Sequence, residues 1–263
     1  MPKSARHIFA AGRWLRALVL ATTIIGLVAF IALLAWARQV VPTDRSAKFA
    51  LDSDEAVAVT QGDWIEFRPR DTDSATGVIF YPGGKAEPVA YAPMLHALAA
   101  RGFLVVLCPM PLNLALLGSE RAARVMPRFP EIKRWVLAGH SLGGVMAAEF
   151  AERHAAQVAG LLLWASYPAA FTNLAGQHLA VLTIFGTMDA LATPTRIAQA
   201  RWHLPPQSAY VPIKGGDHWG FGNFDPKLSV AAIPREAQHT EILDATQAFL
   251  ERLAPAAGAT EAR

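Results

Sequence analysis

The sequence predicts an α/β protein: a doubly wound, mostly parallel sheet with helices on both faces, preceded by one transmembrane helix. Three observations predict it. Apolar β-rich runs alternate with helix-like stretches through the body of the chain. Runs such as GLLLWA at 160–165 and FLVVL at 103–107 are apolar throughout, as parallel strands covered on both faces must be. Residues 17–37 form one uninterrupted apolar segment near the N-terminus.

Residues 1–16 carry Lys3, Arg6, Arg13 and Arg16 and no acid. The following ALVLATTIIGLVAFIALLAWA, residues 17–37, holds no charge and as a helix spans about 30 Å, the hydrocarbon thickness of a bilayer. Trp14 and Trp36 bracket it, where amphipathic rings favour the interface. A soluble core helix would need a polar face, and this one has none. The run exceeds the length of a secretory h-region, which favours an uncleaved anchor, although Ala35-Trp36-Ala37 has the form of a peptidase site. Four cations precede the span, while Arg38, Arg45 and Lys48 are spread out behind it, favouring an inside N-terminus and an extracytoplasmic body. The polar stretch 38–54, with Pro42, reads as a linker. The formal net charge is +3, and without the four leading cations it is about −1. The body therefore lacks the basic field that nucleic-acid binders concentrate, and no nucleic-acid partner is expected.

Residues 55–253 read as one domain, supported by a hydrophobic content of 53% against 17% charged. Its strands are expected at 57–60, 64–68, 77–81, 103–107, 135–138, 160–165, 181–185 and 209–213, its helices at 89–100, 142–154, 194–203 and 238–253. The first two strands have no helix between them, which predicts an antiparallel edge. The Ala-rich 254–263 reads as a flexible tail. Cys108 is the sole cysteine, so no intramolecular disulfide and no cysteine-rich zinc site can form. It reads as a small packing residue, and no metal or cofactor is expected.

The strongest local signal is WVLAGHSLGG, residues 135–144. G-x-S-x-G by itself arises by accident in a chain with 19 glycines. Preceded by an apolar strand and followed by the helical AAEFAERHA, it predicts a nucleophile elbow with Ser141 at its tip. A hydroxyl needs a base, and the base an orienting acid, in the order serine, acid, histidine. Strand 181–185 runs into Gly186-Thr187-Met188-Asp189, and strand 209–213 into Lys214-Gly215-Gly216-Asp217-His218, both at the edge where chemistry collects in open α/β sheets. Asp189 and His218 are therefore the expected acid and base. Asp217 is the rival acid, but adjacency to His218 leaves it poorly placed for the imidazole Nδ1. The remaining histidines lie inside the elbow, before the span, or on helices and loops. An oxyanion hole needs two backbone N–H groups: one from Leu142, the other from the Tyr81-Pro82-Gly83-Gly84-Lys85 loop, where the amides of Gly84 and Lys85 both qualify.

These pieces resemble the α/β-hydrolase superfamily, and more narrowly the small hydrolase domains related to dienelactone hydrolase (α/β-hydrolase family 5-like). The resemblance covers about 77–250 and rests on YPGGKAEPVAYAPMLHALAARGFLVVLCPMPLNLAL, AGHSLGG, ASYPA, FGTMDALATP and GGDHWGFGNF. It implies an α/β-hydrolase fold, Ser141 as nucleophile, Asp189 as acid and His218 as base. It also implies a minimal lid, consistent with the short stretch 168–179. The elbow here carries serine where dienelactone hydrolases proper have a cysteine nucleophile, which points away from dienelactone as substrate.

The expected activity is hydrolysis of a small-molecule ester or thioester, with the membrane as the other partner through the N-terminal helix. The alternative is a non-catalytic, membrane-anchored binding module of the same fold, which would have no use for all three groups in this order. Met110, Leu112, Phe171, Trp219 and Phe221 suggest a moderately apolar cleft, and no signature of oligomeric state is present.

Overall fold

The computed structural model describes residues 3–37, 39–72 and 75–253; the expected tail, 254–263, lies outside the described residues. The chain divides into two units, at Gln39 and Val40. The first is a single helix, α1 (Lys3–Ala37). From residue 17 to 36 its side chains are exposed all round, save the half-buried Leu34. The hydroxyls of Thr22 and Thr23 bond back to the carbonyls of Leu18 and Val19, so neither threonine presents an unbonded hydroxyl donor. By length and composition α1 can cross a membrane or serve as a signal sequence.

The second unit is built on eight described strands: β1 (Val57–Gln61), β2 (Ile65–Pro69), β3 (Thr76–Tyr81), β4 (Leu104–Leu107), β5 (Arg134–His140), β6 (Gly160–Trp164), β7 (Ala180–Gly186) and β8 (Ala209–Ile213). They form one sheet in the order β1-β2-β4-β3-β5-β6-β7-β8. β2 runs antiparallel to both its neighbours, and β4 through β8 are parallel, as the helix-free first hairpin and the later strand–helix alternation predict. The described helices are α2 (Ala92–Ala100), α3 (Arg121–Val125), α4 (Leu142–Arg153), α5 (Pro194–Gln199) and α6 (Arg235–Leu253).

Side chains alternate across each strand, so both faces of the sheet are apolar. Val78, Phe80, Val136, Leu162 and Trp164 join one core with Leu95, Leu98, Ile242 and Phe249 of α2 and α6. Ile79, Leu137, Leu161 and Leu163 join the other with Met146 and Phe150 of α4 and Val125 of α3. The chain passes from β3 out to β4 and returns to β5 on the other side of β3, so the loops after β3 and β5 meet at a topological switch point. Residues 165–179 contain no helix, so no helix is inserted between β6 and β7.

The helices expected at 89–100 and 194–203 are each part 3₁₀ turn, and three further details depart from expectation. The short α3 carries too little periodicity to be seen in sequence. Pro234, whose carbonyl accepts from the Gln238 N–H at 3.1 Å, starts α6 three residues early. The expected linker is folded from Val40 onward: Asp44 caps a 3₁₀ turn, Arg45–Leu51, in which Ala47 is buried. Ahead of that turn the backbone forms a strap. The Val41 N–H donates to the Lys85 carbonyl at 2.8 Å, Asp44 N–H to Asn223 at 2.8 Å, and Asp225 N–H to Pro42 at 2.9 Å. The Arg235 guanidinium pairs with the Asp44 carboxylate at 3.2 Å. Composition could not show this, because most of these bonds use backbone groups that every residue type carries.

Candidate active site

β5 ends at His140, and Ser141 turns the chain into α4 with φ 52° and ψ −123°. This is the strained elbow expected from G-x-S-x-G, and its glycines are there for space. A Cβ on Gly143 would fall on the carbonyl oxygens of Tyr81 and Pro82, and one on Gly139 on the backbone of Gly143 and Gly144. The Ser141 N–H donates to the Trp164 carbonyl of β6 at 3.0 Å, and the Ser166 hydroxyl donates to the Ser141 carbonyl at 2.7 Å. Both peptide groups of the nucleophile candidate are thereby pinned to the neighbouring strand's end. Ser141 itself is half-buried. The other described non-glycine residues with positive φ are Lys85, Leu112, Asn113 and Ala165, on the loops after β3, β4 and β6. Backbone strain thus gathers along the C-terminal edge of the sheet.

Asp189 follows β7 and His218 follows β8 on that same edge. Both are buried, and the His218 Nδ1 lies 2.8 Å from Asp189 Oδ2. The other carboxylate oxygen accepts from the Leu191 and Ala192 N–H groups, each at 2.7 Å. Four lone-pair positions facing three donors suit an ionised carboxylate, which fixes the proton on Nδ1 and leaves Nε2 to accept one. Asp217 does something else. Its carboxylate accepts from the Gly220 N–H at 2.9 Å, the Ser229 hydroxyl at 2.9 Å and the Val230 N–H at 2.6 Å, all on its own loop. Gln238 of α6 clamps the Asp217 peptide from both sides, accepting from its N–H at 3.1 Å and donating to its carbonyl at 2.8 Å. The imidazole of His140 lies beside that of His218, ring centroids 4.5 Å apart, so the His218 loop adjoins the elbow.

The loop after β3 separates the two amides that the sequence left open. The Lys85 N–H donates to the Asn113 carbonyl at 2.7 Å, so it is already bonded within the protein. The Gly83 N–H donates to the Tyr91 hydroxyl at 2.9 Å. Between them, the Gly84 N–H has no protein partner among the described residues, and a Cβ on Gly84 would stand 3.1 Å from Leu142 Cδ2. Leu142, first residue of α4, has an N–H that the helix itself leaves unbonded. Two unbonded amides therefore flank the elbow. Ser166, Gln238, Asn113 and Tyr91 carry no motif in the sequence, since their roles arise from contacts made between loops.

Among the described residues no group of three or more histidine, cysteine or acidic side chains could hold a metal ion. An open surface cleft of about 810 Å³ lies at the β1–β2 edge among Asp63, Trp64, Glu66, Arg68 and Arg124, and Ser141, Asp189 and His218 do not line it.

Residues 77–240, more than half of the chain, match the model of the alpha/beta hydrolase family. No curated protein matches the chain at a significant level. In structure the chain is similar to TT1662 from Thermus thermophilus, with 17% identity, a TM-score of 0.57, and coverage of 76% of this chain and 99% of that one. It is also similar to Est1E from Butyrivibrio proteoclasticus, solved with ferulic acid bound, with 12% identity, a TM-score of 0.55, and coverage of 76% and 98%. Likeness at such identities speaks for the fold, and the sequence match speaks for the family. With its strand order, its elbow and this match, the chain belongs to the alpha/beta hydrolase family, which places it among the hydrolases.

Proposed function

We propose that the protein is a serine hydrolase that cleaves a small-molecule ester or thioester through an acyl-enzyme on Ser141. The observation that carries this reading is the strained elbow at Ser141 set beside a buried, hydrogen-bonded Asp189–His218 pair. His218, its Nδ1–H held by Asp189, takes the Ser141 hydroxyl proton on Nε2 as Oγ bonds to the substrate carbonyl carbon. The carbonyl π pair moves onto oxygen, and the N–H groups of Leu142 and Gly84 receive the resulting oxyanion. Collapse expels the alcohol or thiol, which leaves with the proton from His218. Water then attacks the acyl-enzyme with His218 again as base, releasing the acid and restoring Ser141. Asp189 remains ionised throughout, and Asp217 shapes the loop that presents His218.

The N-terminal helix supports attachment to a membrane, since its exposed face is apolar all round and long enough to cross a bilayer. In this reading α1 is an uncleaved anchor and the body lies on the extracytoplasmic side.

The test of the chemistry is Ser141→Ala. Fluorophosphonate labelling and hydrolysis of 4-nitrophenyl butyrate are expected to disappear while thermal unfolding is retained. Labelling that survives in the alanine variant would remove Ser141 from the mechanism. A native chain that neither labels nor turns over would indicate a binding module.

A further inference from the structure

Two buried polar side chains near the elbow take no part in the scheme above. Tyr91 ends a 3₁₀ turn, Pro88–Tyr91, that leads into α2, and His140 is the residue before Ser141. Both are buried. The Tyr91 hydroxyl accepts from the Gly83 N–H at 2.9 Å and lies 2.8 Å from His140 Nδ1. A phenol has one hydrogen and two lone pairs, so the hydroxyl that accepts from Gly83 can still bond His140 Nδ1 with the same oxygen, the His140 tautomer setting which group donates. Either way Tyr91 joins the Gly83 amide to the His140 ring. Burial, and after it the neighbouring imidazole of His218, hold the His140 pKa well below the ordinary histidine range, so the ring is neutral. The result is a hydrogen-bonded chain from the Gly83 N–H through the Tyr91 hydroxyl to His140 Nδ1. It runs from the oxyanion loop to the strand that carries the nucleophile.

We infer that Tyr91 and His140 are positioning residues that aim the Gly84 amide at the oxyanion. The inference rests on the reading above, in which Gly84 is a donor. Gly84 has no side chain to hold it, and its peptide is fixed only through its neighbours. On one side Gly83 is bonded to Tyr91; on the other Lys85 is bonded to Asn113 at 2.7 Å. The packing around the first clamp is close: a Cβ on Gly83 would stand 2.9 Å from the Tyr91 oxygen and 3.0 Å from His140 Nδ1. Releasing the Tyr91 clamp lets the Gly83–Gly84 peptide tilt. A tilted donor loses most where charge develops, in the transition state, and little in the ground state.

The test compares the native full chain with Tyr91→Phe and with His140→Leu, which removes the other end of the chain instead. Rates on 4-nitrophenyl butyrate are normalised to sites titrated by fluorophosphonate. Each variant is expected to lose roughly tenfold to a hundredfold in kcat per labelled site, with KM within about twofold. The Ki for a trifluoromethyl ketone, which forms the oxyanion adduct, is expected to rise by the same factor. The double variant should be little worse than either single one, because both break the same chain. Native kcat and Ki per labelled site in both variants would overturn the inference, even if fewer sites survive or the fold is less stable. So would a loss confined to KM. A native chain without turnover or labelling would instead sink the serine hydrolase reading itself.

Discussion

Asp189 and Asp217 are both buried and both accept three hydrogen bonds, but only Asp189 counts the His218 imidazole among its donors. Asparagine at 189 can donate where the carboxylate only accepts, which favours the imidazole tautomer with its proton on Nε2. Asp189→Asn is therefore expected to lower turnover at pH 8 at least about a hundredfold with the fold retained. Asp217→Asn replaces an oxygen that receives backbone N–H groups, and its cost is to stability, about 1–3 kcal/mol, with turnover per labelled site within a few-fold. Assay of the two variants on one ester decides between them, and a crippled Asp217→Asn beside a normal Asp189→Asn would reverse the assignment. The contact between Asp189 and His218 could be read in the sequence because each residue follows closely on an apolar strand's end. The choice between Gly84 and Lys85 could not, since it turns on Asn113 in a different loop. Tyr91 falls within the expected helix 89–100, and nothing local shows where its hydroxyl will find a partner.

At the level of elements, every expected strand is present, and for the inner strands such as β3, β4 and β6 the reason is that continuous apolar runs leave little choice for a segment buried on both faces. The strap at 40–44 escaped the same reading. It is an extended segment whose energy lies in backbone bonds to the loop after β3 and to the loop that follows His218. A chain beginning at Val40 is expected to match the full chain in turnover on a soluble ester. One beginning at Asp52 loses three inter-loop backbone bonds, the Asp44–Arg235 pair and buried Ala47. At about 1 kcal/mol for each bond the loss is a few kcal/mol, or a fall of roughly 5–10 °C in Tm. Calorimetry of the two truncations checks this, and equal Tm values would show that the strap contributes nothing. Turnover should fall in the shorter chain beyond what unfolding explains, because the strap touches the loops of both Gly84 and His218.

For the whole molecule, the extracytoplasmic placement proposed for the body rests on four cations ahead of the apolar run and their dilution behind it. Protease added to intact spheroplasts is expected to digest residues 40–263, and protection of the body until the membrane is permeabilised would contradict this placement. The sole cysteine offers a second route to the same answer. Cys108 is buried just past β4, and burial pushes its thiol up to about 12, so near neutral pH it is a protonated group that solvent reagents do not meet. The native chain is accordingly blank to maleimides. A cysteine introduced at an exposed position such as Glu55 becomes the one reactive handle on the folded body, and no background thiol has to be removed first. An impermeant maleimide can then report which side of the membrane the body occupies without any cut in the chain.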